Sequence, residues 1–271
     1  MCDRAPDIRI RPVFGYTPGS VSASQMREGS VHIGTSGWNY AHWKEVFYSA
    51  GLSQKDWLAH YTKTFRTVEI NNSFYNLPDA KTIRTWREQT PESFVFSVKA
   101  SRYITHMKKL KDPDEPVANF LKRVTILDRK LGPVLFQLPP KWTCNPERLA
   151  SFLDRLPDAH SFAFEFRDRS WWNDDVVHLL KKNKAAFCIY ELAGTQSPKW
   201  ITADFAYIRL HGPGENKYEG LYDKQALSGW AGAVSEWIRD GRRVYCYFDN
   251  DQNGYAVRNA RELKTMLEQT G

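Results

Sequence analysis

Apolar and polar residues alternate in short bursts along this chain, and from Val31 onward the bursts recur at regular intervals. Eight of them have strand length and strand composition: "VHIGTSGW" 31–38, "TVEINNSFY" 67–75, "SFVFSVKAS" 93–101, "GPVLFQLPP" 132–140, "SFAFEFRD" 161–168, "KAAFCIY" 184–190, "FAYIRLHG" 205–212 and "RVYCYFDN" 243–250. The segments between them carry helical periodicity and helix-start signals. Examples are "DAKTIRTWREQ", "EPVANFLKRVTILDRKLG", "NPERLASFLDRL" with Pro146 just inside its start, "DDVVHLLKKN" and "DKQALSGWAGAVSEWIRDG". A final helix, "NGYAVRNARELKTMLEQ", closes the chain, and only "ELAGTQSPKWITAD", between the sixth and seventh runs, is too short for a full helix. Strands alternating with helices predict right-handed crossovers and a parallel sheet. Eight such units predict an α/β fold built as a single (β/α)8 TIM-like barrel over residues 31–271, with a doubly wound sheet as the alternative. Residues 1–30, with Pro6, Pro12, Pro18 and the run "TPGSVSASQMREGS", lack periodicity and read as an N-terminal extension, extended or partly disordered.

Side chains two apart on a strand share a face, so the bursts also sort residues into two sets. Ala206, Ile208 and Leu210 face the helices, which leaves Tyr207, Arg209 and His211 on the other side. By the same alternation Glu69 and Asn71 oppose Val68 and Ile70, Ser97 and Lys99 oppose Phe96 and Val98, and Gln137 opposes Phe136 and Leu138. Ala163, Glu165 and Arg167 oppose three phenylalanines, and Tyr247 and Asp249 oppose Cys246 and Phe248. In a barrel these polar faces converge on the lumen near the C-terminal ends of the strands, where barrel enzymes carry their catalytic groups.

Composition narrows the picture only a little. At 271 residues, with 42% hydrophobic and 25% charged residues, the chain buries a large core without needing disulfides or a metal. The net charge of +7 favours polyanions at low salt, although Lys and Arg are spread along the chain and not blocked. Cys2, Cys144, Cys188 and Cys246 show no metal-binding spacing, and Cys188 and Cys246 read as buried thiols. No secretory signal or membrane-spanning run is visible, so a cytoplasmic location and no membrane partner are expected.

Chemistry follows from the convergent set. Burying so many charges costs several kcal/mol per ion before pairing, which favours a ligand site over a purely structural network. Arg167 and Arg209 suit bidentate recognition of phosphate or carboxylate. Lys99 suits an anion, a Schiff base, or an ion pair with Glu69 or Glu165. His211 is the natural general acid or base because it titrates near neutrality, and Glu165 is the second candidate. The glycines of "HGPGENKYEG", 211–220, would let backbone N–H groups approach an anion. Trp38, Tyr40, Trp43, Phe74, Tyr75, Trp171 and Trp172, near the strand ends, could stack on bases or sugars. The histidines give no confident three-ligand metal cluster, and the sequence requires no cofactor.

The pieces "GTSGWNYAHWKEVFY", "VEINNSFYNLP", "FSVKASRYITH", "FQLPP", "FEFRDRSW", "YIRLHG" and "YFDNDQNGYAVRNA" resemble, in order, the family known as domain of unknown function 72, or YecE-like. That resemblance implies a TIM-like barrel with a polar pocket involving Glu69, Asn71, Lys99, His106, Gln137, Glu165, Arg167, Arg209, His211 and Asn250. It brings no assigned reaction. Its barrel architecture is similar to that of metal-dependent apurinic endonucleases, which implies nucleic-acid processing by fold analogy alone. Asp168 and Asp249 stand where the family often has His and Asn, which makes this rim more acidic. The leading expectation is an enzyme, a hydrolase or lyase, acting on a small anionic, phosphate-bearing substrate. In it Glu165, His211 and Lys99 are catalytic, and Glu69, Asn71, His106, Gln137, Arg167, Arg209 and Asn250 bind substrate. Two alternatives stand beside it: a nucleic-acid-binding or processing protein, and a barrel that binds a ligand without turnover.

Overall fold

The computed structural model describes residues 31–270, so the expected leader at 1–30 lies outside the described residues. Each of the eight alternating runs contains a strand: β1 Val31–Thr35, β2 Thr67–Ile70, β3 Val95–Lys99, β4 Leu131–Gln137, β5 Phe162–Glu165, β6 Ala186–Leu192, β8 Phe205–Leu210 and β9 Arg243–Phe248. All eight are parallel, in the order β1-β9-β8-β6-β5-β4-β3-β2. Where a helix was not expected, after β6, the chain instead turns back through the two-residue strand β7, Thr195–Gln196, antiparallel to β6. The Thr202 hydroxyl then accepts from Phe187 N and donates to Ala185 O, tying this helix-free connection to the sheet.

The ring closes between β1 and β2 through a narrow contact. Ser36 bridges Glu69, and Gly37 N donates to Glu69 O at 2.8 Å. Gly34 makes that approach possible, because a β-carbon there would lie 2.3 Å from the Thr67 carbonyl oxygen. The result is an α/β barrel of eight parallel strands, nearly closed, with helices between them.

The helices pack apolar stripes on the outside of the ring, anchored by residues such as Leu149, Phe152, Val176, Leu180, Leu227 and Val234. Their starts are fixed by side-chain caps: Asp79, Asn145, Asn173 and Asp223 each accept from the backbone N–H three residues on. Pro146 stands at the first turn of its helix, as the sequence implied. A second, smaller core fills the lumen with Leu135, Ala163, Ala186, Cys188, Phe205, Tyr207, Tyr245 and Tyr247. The Tyr247 hydroxyl meets Thr67 Oγ1 and Ser97 Oγ at 2.8 Å each, so the apolar plug ends in a hydroxyl layer, and charged residues begin above it.

Gly34→Ala drives a methyl group into a backbone carbonyl at the closing seam, and overpacking of this kind costs about 1–3 kcal/mol. Urea unfolding should show that loss of stability, whereas Gly229→Ala, where a β-carbon meets nothing within 4 Å, should be neutral or stabilising.

Candidate functional site

The inward faces of β2, β3, β5 and β8 and the first residues beyond β5, β8 and β9 bring Glu69, Lys99, Glu165, Arg167, Arg209, His211 and Asp249 together above the Tyr247 layer. Arg209 is the centre. It is fully buried, and its Nε donates to both Glu69 oxygens at 3.1 Å while Nη2 donates to Glu69 Oε1 at 2.8 Å. Nη1 donates to Glu165 Oε2 at 2.9 Å, and Nη2 also reaches Asp249 Oδ2 at 3.0 Å and Ser36 Oγ at 3.2 Å. The Tyr207 hydroxyl donates to Glu69 Oε2 at 2.6 Å, and the Ser36 hydroxyl donates to Oε1. With every guanidinium nitrogen engaged and no exposed surface, Arg209 has nothing left to offer a substrate. In this structure it is the counter-ion of three buried carboxylates.

Glu165 is equally enclosed. Burial pushes its carboxyl up, but the Arg167 and Arg209 guanidiniums, with Lys99, outweigh burial and hold it well below the usual carboxylate range. Arg167 Nε donates to Glu165 Oε1, and Arg167 Nη2 donates to His211 Nε2 at 3.1 Å. Arg209 Nη1 approaches the same imidazole nitrogen at 3.3 Å. Two guanidiniums aimed at Nε2 leave it an acceptor, which places the ring proton on Nδ1. Nδ1 lies 2.9 Å from Asp249 Oδ2, but off the line of a hydrogen bond, so that contact is electrostatic proximity and not a satisfied bond. Burial, then Arg209 and Arg167, push His211 well below its ordinary value. In this setting His211 is held neutral and Glu165 ionised near neutral pH. Burial also raises Asp249, against the pull of Arg209.

Lys99 differs from its neighbours. Its ammonium stands 4.2 Å from the centroid of the Phe74 ring, and among the described residues no carboxylate lies within 4.0 Å of it. Burial and Arg209 bring its pKa down from 10.5 to about 8. His106 sits edge-on to the same Phe74 ring at 4.9 Å, with Nδ1 2.9 Å from Thr105 Oγ1. Burial, then Lys99 and Arg102, lower His106 to about 4, so it too is neutral at pH 7. Arg167 lies over the Tyr190 ring at 5.0 Å, and its Nη1 has no partner among the described residues.

Three anticipated residues stand outside the network. Gln137 donates to the Leu138 carbonyl. Asn250 donates to Gly220 O and Asn259 Oδ1, holding the loop after β8 against the last helix. Asn71 makes no side-chain hydrogen bond among the described residues and lines a separate cavity. The Gly212 N–H, expected near an anion, donates to Tyr222 instead. Of the aromatics, Trp43 and Trp171 are core residues, whereas Tyr75 is 74% exposed on the rim. Ser36 and Tyr207 were missed as Glu69 ligands; their signal was position, since Ser36 directly follows β1 and Tyr207 lies on the polar face of β8. Among the described residues no group of three or more His, Cys, Asp or Glu is arranged to hold a metal.

A parallel eight-stranded barrel with a charged cluster at the C-terminal ends of its strands places the molecule among the TIM-like barrels. The chain belongs to the family described as "Protein of unknown function DUF72", whose model matches residues 32–271. It is 27% identical over 271 residues to the UPF0759 protein YunF of Bacillus subtilis, covering 88% of this chain and 95% of that protein. To the UPF0759 protein YecE of Escherichia coli K12 it is 32% identical over 140 residues, 51% of this chain and 48% of that one. The crystal structure of a DUF72 family protein from Thermotoga maritima superposes with a TM-score of 0.79 at 30% identity, covering 88% of this chain and 99% of that chain.

Two outcomes test the electrostatics. Arg209→Met strands three buried carboxylates, and breaking such a network costs about 3–5 kcal/mol, which should lower Tm by roughly 10 °C. A near-neutral change would show that the carboxylates find other partners. Lys99 is protonated in both folded and unfolded chains below pH 8, where its burial penalty is fully present. Between about pH 8 and 10.5 the unfolded chain holds the extra proton. Wild type should therefore gain stability relative to Lys99→Met as pH rises through that window, measured by chemical unfolding at each pH.

Proposed function

We propose that the barrel mouth binds a small phosphate-bearing anion between Lys99 and Arg167 and acts on it by general acid–base chemistry, as a hydrolase or lyase. The observation that carries this reading is the Lys99 ammonium, with no carboxylate within 4.0 Å among the described residues, and the free Nη1 of Arg167, two cations that both act on Glu165 and His106 at the edge of a network whose other charges are matched. Glu69, Glu165 and Asp249 are offset by Arg209, Arg167 and Lys99, and Lys99 is the one cation among these without a carboxylate in contact distance. A dianion arriving there gains a point charge from Lys99 and a directional donor from Arg167. Lys99 at about 8 is mostly charged at neutral pH yet close enough to release its proton, which suits a general acid toward a departing oxygen. In this reading Glu165 and His211 are positioning residues that hold Arg167 from behind. His106 supplies a neutral donor or acceptor at the rim. The cysteines Cys144, Cys188 and Cys246 are free, which accords with a cytoplasmic setting.

A second reading rests on the rim itself. Tyr75, Tyr103 and Met107 are exposed beside Arg102, Lys108, Lys109 and Lys111, a combination that suits a single-stranded nucleic acid. Its mark would be oligonucleotide binding that weakens steeply with salt.

The test is a thermal-shift and calorimetric comparison of inorganic phosphate, pyrophosphate and phosphate monoesters. A phosphate-bearing ligand should stabilise wild type, and Lys99→Met and Arg167→Met should each weaken it by about tenfold or more, a loss of roughly 1.4 kcal/mol. Affinity should also fall as pH rises past about 8. Equal affinity in both variants would overturn the reading. Binding without turnover would leave a ligand-binding barrel.

A further inference from the structure

A cavity of the described residues opens past the C-terminal ends of β1 and β2, where Gly37, Trp38 and Asn71 line it. It occupies about 580 Å³ beside the β1–β2 seam, between the helical segment 54–61 and the helix Ala80–Glu88. That is room for a monosaccharide-sized ligand. None of Lys99, Arg167 or His106 lines it.

Its chemistry is distinct. Trp38 and Trp86 meet edge to face at 5.0 Å and give it an aromatic wall. Lys55 and Lys81 stand on opposite helical segments, and among the described residues neither has an ion-pair partner. No carboxylate is among the lining residues, and Lys55 and Lys81 are the charged groups of the lining. The remaining polar lining is amide and hydroxyl: Asn39 Oδ1 accepts from Gln54 Nε2 at 2.8 Å across the opening. Asn71 is also among the lining residues and makes no side-chain hydrogen bond among the described residues.

We propose that this cavity is a second ligand site, for a small polyhydroxylated anion of the hexose phosphate or aldonate class. The apolar face of a sugar ring packs on the tryptophans, its hydroxyls meet the amides, and its acidic group lies between Lys55 and Lys81. The inference does not rest on the proposed reading of the mouth.

Isothermal titration with glucose 6-phosphate, gluconate, inorganic phosphate and glucose tests it. Glucose 6-phosphate or gluconate should bind at least tenfold more tightly than both glucose and inorganic phosphate. The double variant Lys55→Ala/Lys81→Ala, at exposed positions that the fold does not need, should lose that binding by about tenfold or more. With gluconate, which carries no phosphate for the mouth, Thr85→Trp, which fills the cavity from its wall, should abolish binding, and Lys99→Met should leave it unchanged. No heat from either anion at millimolar concentration, or equal affinity in the double variant, would overturn the proposal. Loss in Lys99→Met alone would assign the binding to the mouth and overturn it as well, while leaving the mouth reading intact.

Discussion

One guanidinium organises this molecule. Arg209 projects into the lumen from β8 and gathers Glu69 from β2, Glu165 from β5 and Asp249 from the end of β9, so a single side chain ties together strands from around the ring. Moving such charges out of water costs several kcal/mol each, and only dense pairing with additional donors from Ser36 and Tyr207 offsets that cost. The consequences spread outward. Glu165 is kept ionised, His211 is kept neutral, and Arg167 is fixed by both. Charge matching is complete only if Lys99 is counted, and Lys99 stands apart on the face of Phe74.

The barrel was legible because its signal repeats. Period-two alternation separates Ile208 and Leu210 from Tyr207 and Arg209 without ambiguity, and the same rule placed Lys99 and Glu165 inside. The helix-free connection was legible for a simpler reason: 193–204 holds too few periodic residues to cross back over a sheet. The order of closure was not legible. It depends on Gly34 lying against a carbonyl of a strand more than thirty residues away, and no local pattern encodes that contact.

The site was legible as a set of residues but not as a set of roles. Arg167 and Arg209 are the same residue type on the inward faces of β5 and β8, which flank β6. What separates them is depth: Arg209 lies within its strand and is enclosed, while Arg167 lies two residues past the end of β5 and keeps one nitrogen free. Alternation weakens once a strand ends: Asn71, the first residue past β2, lines a side cavity, while Asn250, which only the family resemblance suggested, is a loop anchor. The neutral state of His211 could not be read from its type, because two guanidiniums 3.1 and 3.3 Å from Nε2 decide it. Depth and charge environment, which are properties of the assembled ring, convert an apparent set of acids and bases into a rigid floor with one adjustable amine.

That amine is where the account is most exposed. Selective carbon-13 labelling of lysine would follow the Lys99 side chain by NMR as pH is raised, with Lys99→Met assigning the signal. The account predicts a midpoint near 8, moving upward when a phosphate ester is bound, since a neighbouring anion favours the charged amine. A midpoint at the ordinary 10.5, unmoved by phosphate esters, would contradict it.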